Sequence, residues 1–190
     1  SKYMYFTRYN DTYLYQDLTL SYADILDTIN KALTYPIFVK PANSGSSIGI
    51  TKVSKSSELS EAIEAALKID NRILIEEGIK GREVECGILE KEGEIIASCV
   101  GEIIYQDSFY SFDAKYNDAS SVTVIPANLD ADLAKKVQEQ AIKVFKILNC
   151  HGYSRCDFFI EDDNTILLNE INTIPVFTEI SMYTKLFEES

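Results

Sequence analysis

The chain has 190 residues, 46% hydrophobic and 25% charged, with a formal net charge of −12. Such a composition excludes a disordered chain, and the length is enough for one domain or two small subdomains with real cores. The acidic balance argues against nucleic acid as a partner, and no apolar run approaches the length of a membrane span.

Residues 1–20 are rich in Tyr and show no clear period. The segment 22–33 places Ile25, Leu26, Ile29 and Leu33 on one helical face. A short apolar strand over 35–42 carries Lys40 near its end, and small residues fill the loop 43–50 before a strand at 50–53. The next helix begins near Ser57, an N-cap residue followed by Glu58 and Glu61, and runs to about Lys68. A strand over 72–79 breaks at Gly78 and Gly81. Two antiparallel strands follow around a turn at Glu92-Gly93, then a loop over 105–121 full of Tyr, Phe, Asp and Lys. A strand over 121–127 leads to an amphipathic helix over 130–149, with Leu133, Val137, Ala141, Val144 and Leu148 inward. Helices and antiparallel strands in blocks make the fold class α+β, with subdomains over 1–78 and 79–190.

The four cysteines show no CxxC spacing and read as free thiols of a reducing cytoplasm, with no signal peptide in view. His151 is the only histidine and reads as a helix-end residue, and nothing resembles a Ser-His or Cys-His nucleophile.

The last strong pattern is a hairpin over 154–173, "YSRCDFFIEDDNTILLNEINT" from Tyr153 onward, whose turn candidates are Asp162, Asp163 and Asn164. A two-residue loop at Asp163-Asn164 puts Asp157 opposite Glu170, Arg155 opposite Asn172 and Phe159 opposite Leu168. The other face then carries Cys156, Phe158 and Ile160 against Leu167 and Ile171. A three-residue loop would split the acidic pair between faces. Facing acids with Cβ atoms roughly 4.5–5.5 Å apart repel by on the order of 3 kcal/mol at an effective dielectric of about 20. A raised pKa, the neighbouring Arg155 or a divalent cation would each offset that repulsion. The oxygen donors Asp157, Glu170 and Asn172 suit Mg2+ or Mn2+ better than zinc.

Five stretches in this order, "VKPANSGSSIGI", "ILIEEGIKGREVECGIL", "FYSFDAKY", "GYSRCDFFI" and "LLNEINTIP", resemble the D-alanine–D-alanine ligase family of the ATP-grasp superfamily. The resemblance runs over nearly the entire chain and is nearest to the vancomycin-resistance subgroup that makes D-alanyl-D-serine. It implies an ATP-grasp fold of two α+β subdomains with the nucleotide bound between them. The implied reaction joins a D-alanine carboxylate to the amine of D-alanine or D-serine through an acyl phosphate, for peptidoglycan precursors or glycopeptide resistance. By resemblance, Lys40 and Lys115 hold phosphates, and Ser46 and Ser47 sit in a lid over the γ-phosphate in the loop 43–49. Glu76, Glu77 and Ile79 bind the adenine edge, Glu83 the ribose, and Phe159 floors the adenine pocket. Tyr110 and Tyr116 shape the substrate loop, Arg155 stabilises the oxyanion, and Ser181 binds the second substrate's carboxylate. Asp157 and Glu170 share one Mg2+, Glu170 and Asn172 a second.

Val176 stands where the family pattern Asn-Thr-x-Pro-Gly has glycine. The resemblance leaves the D-alanine-binding N-terminal domain and the last helix outside the chain, so the piece alone is expected to be inactive. Any homodimer is expected to form through those outside regions. The competing readings are an ATP-grasp ligase of another substrate class and a degenerate nucleotide-binding module without ligase activity.

Overall fold

The computed structural model describes residues 2–45, 47–105, 121–178 and 181–190. These fall into two compact units, the first ending at Ile79 and the second beginning at Lys80.

The first unit holds six strands: β1 (Tyr3–Tyr9), β2 (Thr12–Tyr15), β3 (Leu18–Leu20), β4 (Ile37–Pro41), β5 (Thr51–Val53) and β6 (Arg72–Glu77). They form one sheet in the order β3-β2-β1-β6-β4-β5. The Tyr-rich start of the chain, which shows no period by eye, is therefore three strands. Met4 and Phe6 point into the core while Tyr3, Tyr5 and Tyr9 stay exposed. Aromatic rings on both faces conceal the alternation. Helices α1 (Tyr22–Ala32) and α2 (Leu59–Leu67) supply the rest of this core through Ile25, Ile29, Leu59, Ile63 and Leu67. A capping box closes the start of α1, with Ser21 accepting from the Asp24 N–H and Asp24 accepting from the Ser21 N–H. The second helix differs from expectation: Ser56–Glu58 is a 3-10 turn and α2 begins after it. Glu58 accepts from the Ser54 N–H at 2.9 Å, so the chain tightens there and Ser57 is not the cap.

The second unit contains β7 (Arg82–Lys91), β8 (Glu94–Tyr105), β9 (Ser121–Val124), α3 (Ala131–Ile147), β10 (Tyr153–Ile160), β11 (Ile166–Asn172) and α4 (Met182–Glu188). Its strands are ordered β11-β10-β7-β8-β9 and pair antiparallel. The β7–β8 turn falls at Glu92-Gly93, both with positive φ, as the sequence indicates. One face of the sheet packs on α3 through Val84, Cys86, Ile88, Cys156, Phe158 and Ile160. On α3 the buried residues are Leu133, Val137, Ala141 and Phe145. Leu148 lies past the end of the helix and is exposed, and Phe145 takes the inward place expected of it. The opposite face receives α4 where β7 and β8 carry Gly87 and Gly101. A Cβ at Gly87 would come within 2.8 Å of Phe187, and one at Gly101 within 2.8 Å of Leu186. Only glycine lets the helix lie this close.

The hairpin reaches the expected acidic pairing by an unexpected route. Its loop is three residues, 162–164, closed by the Glu161 N–H donating to Thr165 O at 3.0 Å. Asn164 takes a positive φ of 65°, the αL position of such loops. Ile160 therefore faces Ile166 and Phe159 faces Leu167, not Leu168. A β-bulge then inserts Asn169, so that Asp157 faces Glu170 and Arg155 faces Asn172. The extra residue also explains why Ile166 and Ile171, five apart, both pack in the α3-side core, whereas Leu167 does not.

Two outcomes follow. Asn164→Ile forces a β-branched residue into αL geometry and should lower the unfolding free energy by about 1–2 kcal/mol, measured in urea, with Asn164→Gly close to neutral. All four cysteines are free thiols; Cys86 and Cys156 are buried, and burial pushes each up to about 12. A thiol reagent at pH 8 should therefore label Cys99 and Cys150 in the native chain and reach Cys86 and Cys156 only in denaturant.

Candidate active site

The strand pairing lines up charged side chains across the sheet face opposite α3. Because partners directly opposite share a face, one row runs Glu170, Asp157, Glu85, Gly101 across β11, β10, β7 and β8. The neighbouring row places Asn172, Arg155 and Gly87 together, and the next places Leu167, Phe159 and Glu83 together. Three carboxylates and one guanidinium thus occupy adjacent positions.

Arg155 lies at the middle of this patch. Its Nε donates to Asp157 Oδ1 and its Nη2 to Asp157 Oδ2, both at 2.7 Å. The same Nε stands 3.0 Å from Glu85 Oε2. The Arg155 side chain is 15% exposed, and those of Asp157 and Glu85 are 3% exposed. Burial alone lowers the pKa of Arg155, but the hydrogen bonds and charge of Asp157, with Glu85 and Glu170 behind it, carry it above the ordinary arginine value. A forked pair of charge-assisted bonds is among the stronger polar contacts available. Without it two buried carboxylates would face each other with no cation between them.

Asn172 closes the patch on the open edge. Its Nδ2 donates to Asp157 Oδ2 and to Glu170 Oε1, each at 3.3 Å. Glu170 itself is exposed. Arg155 contributes one positive charge and Glu85, Asp157 and Glu170 one negative charge each, so the patch keeps two net negative charges. That is the complement of one divalent cation. Asp157, Glu170 and Asn172 are hard oxygen donors in one patch and fit Mg2+ in kind. Among the described residues no cluster of three or more His, Cys, Asp and Glu side chains is arranged for metal. The Arg155 fork and the Asn172 amide engage the oxygens of Asp157, and Asn172 also reaches Glu170.

The sequence singles out Asp157, Glu170, Asn172, Arg155 and Phe159, and the fold brings all five to one face of the β10–β11 pair. It gives no role to Glu85. A signal was there: Glu83 and Glu85 alternate with apolar Val84, Cys86 and Ile88, so both belong to the face opposite the core.

In the first unit Lys40 and Glu76 form a half-buried ion pair at 2.5 Å on β4 and β6. Glu77 directs its Oε1 to the Thr34 N–H at 2.7 Å, and Ile79 is half-buried just beyond β6. Ser47 has a positive φ of 59° in the small-residue loop. Ser46, Tyr110, Lys115 and Tyr116 lie outside the described residues.

Ser181 stands at the N-cap position of α4 without a side-chain cap bond, its hydroxyl instead donating to Val176 O. Positive φ among the described non-glycine residues does not include Val176, so its Cβ meets no left-handed strain. Val176 is 66% exposed. The adjoining Phe177 packs edge-on against Tyr153 at 4.9 Å and against Tyr183 at 5.0 Å. Tyr183 in turn donates to Ile88 O at 3.1 Å, so the loop after β11 is pinned to β10 and α4. His151 is exposed and stands 3.3 Å from Glu90, away from the acidic row.

Residues 3–190 match the family model described as D-ala D-ala ligase C-terminus. The chain is 46% identical over 165 residues to a D-alanine--D-alanine ligase of Lactococcus lactis subsp. lactis (strain IL1403), covering 87% of this chain and 47% of that protein. It is 44% identical over 189 residues to one of Acetivibrio thermocellus, covering 99% of this chain and 48% of the relative. The crystal structure of VanG D-Ala:D-Ser ligase from Enterococcus faecalis superposes with a TM-score of 0.83 at 38% identity, over 99% of this chain and 51% of that one. The chain spans about half the length of the curated relatives it matches.

Arg155→Met leaves Glu85 and Asp157 buried without their cation. Urea unfolding should show a loss of about 3–5 kcal/mol, of which adding Glu85→Leu restores a part.

Proposed function

Because the chain belongs to the D-ala D-ala ligase C-terminus family, we propose that it is the ATP-using part of a ligase that joins D-alanine to a second D-amino acid. The observation that carries this reading is the row Glu170–Asp157 with Arg155 and Asn172 beside it, on a chain matched by the family model from residue 3 to residue 190. The reaction proceeds in two displacements. A carboxylate oxygen of D-alanine attacks the γ-phosphorus of ATP, and ADP leaves with the broken P–O bond's electron pair. The amine of the second substrate then attacks the acyl carbon, loses a proton, and phosphate departs.

This chemistry needs positioning and charge neutralisation more than a covalent nucleophile. Divalent cations held by Asp157, Glu170 and Asn172 would neutralise the phosphate charge. Arg155, whose guanidinium is already fixed, is assigned the oxyanion of the tetrahedral intermediate. Phe159 and Glu83, partners across β10 and β7, are assigned the adenine floor and the ribose. From the first unit, Lys40 with Ser46 and Ser47 is assigned the phosphates, and Glu76, Glu77 and Ile79 the adenine edge. Lys115, Tyr110 and Tyr116 are assigned the phosphate and substrate loop, and Ser181 the carboxylate of the second substrate. Ser181 would have to release Val176 O first. D-Alanine or D-serine is favoured over D-lactate as that substrate. The similar D-alanine--D-alanine ligase of Lactococcus lactis supports the first and the VanG D-Ala:D-Ser ligase the second.

Phosphate release by the intact protein with ATP, Mg2+ and D-alanine, alone or with D-serine or D-lactate, tests the assignment. Turnover should require D-alanine and Mg2+, and Glu170→Gln should lower it by on the order of 100-fold or more. A protein that hydrolyses ATP regardless of D-alanine, or that prefers D-lactate, would sink the reading.

A further inference from the structure

The Arg155 Nε carries a single proton and has two carboxylate oxygens within reach. Asp157 Oδ1 stands at 2.7 Å and takes the hydrogen bond, while Glu85 Oε2 stands at 3.0 Å from the same nitrogen. Meanwhile both oxygens of Asp157 are engaged, by Nε and Nη2 of Arg155, and Oδ2 also by Asn172. Oδ2 already accepts two hydrogen bonds, so a cation there displaces one of them, and a cation on either oxygen weakens the hold of Asp157 on the guanidinium. Releasing the guanidinium into a buried setting with no other anion would be expensive. Glu85 removes that difficulty, since it is 2% exposed, directly opposite Asp157 on β7, and already against the guanidinium. The Nε–H can turn from one carboxylate to the other with almost no side-chain travel.

We propose that Glu85 is a positioning residue that receives the Arg155 guanidinium when a divalent cation draws Asp157 away, so that Arg155 stays fixed in both states. This rests on the metal assignment made above for Asp157. Glu85 touches neither metal nor substrate in this account; it acts through Arg155. With Glu85 in place, metal binding exchanges one ion pair for another. Without it, metal binding weakens the one ion pair left to Arg155 among the described residues.

The test titrates Mg2+ calorimetrically into the intact protein saturated with ADP, with thermal melting as the check on folding. Glu85→Gln removes the charge and keeps the shape. Glu85→Asp keeps the charge and withdraws the oxygen from Nε. Both should raise the Mg2+ Kd about 10-fold or more, the range seen when a partner behind a ligand is lost. If Glu85 served only as a distant charge, Glu85→Asp would bind Mg2+ like the unsubstituted protein, and that result overturns the proposal. Unchanged affinity in Glu85→Gln overturns it as well. A second readout needs no variant: the Arg155 Nε–H signal in 15N NMR should stay protected from solvent exchange when Mg2+ is added, and its loss would count against the exchange of partners. If the unsubstituted protein with ADP binds no Mg2+, the metal assignment falls and the role of Glu85 falls with it. Mg2+ binding with equal affinities in all three proteins removes the role of Glu85 alone.

Discussion

A buried guanidinium shared by carboxylates on two neighbouring strands is the contact around which the second unit is organised. Arg155 and Asp157 lie two apart on β10, so the fork closes along one strand, and Glu85 reaches it from β7. Three groups with 3–15% exposed side chains would each be costly to bury alone. Together they are tolerable, and they oblige β10 and β7 to keep one register. The glycines at 87 and 101 belong to the same design. They admit α4 to this face beside the charged row, in which Glu85 is buried and Glu170 exposed.

The same principle recurs in the first unit. Lys40 on β4 is paired with Glu76 on β6 at 2.5 Å, so here too a partly buried cation is fixed by an acid on the neighbouring strand. On the proposed reading, the net charge of −12 gives this arrangement weight. The global field repels polyphosphate, and the attraction must come from a few cations held at fixed positions. An acidic partner such as Glu76 supplies that fixing.

Much of the fold was legible because periodicity survives in single sequences where one face is uniform. The α1 face, the α3 stripe through Ala141, and the β7–β8 turn at Glu92-Gly93 are of that kind. The first three strands were not, because tyrosines on the exposed face look as apolar as the Met4 and Phe6 beneath them. Of the polar patch, the hairpin members were readable, while for Glu85 the alternation gave only its face and not its partner. Its importance depends on a long-range pairing with Asp157 that no local window contains. Leu167 and Ile166 exchanged faces for a different reason: the αL conformation of Asn164 lengthens the loop by one, and Asp and Asn dipeptides allow either length.

That loop and the bulge at Asn169 behave like two compensating frameshifts. Between them the strand is read in one phase, which sends Ile166 to the core; beyond the second, the original phase returns and Glu170 meets Asp157. A shift in the tip therefore need not propagate to the acids, because the bulge is a place where one residue can be lost or gained. Second-site suppression in the genetic sense is built into the hairpin. A deletion at the tip can be cancelled by the strand absorbing its own extra residue, and the message that matters is still read in frame.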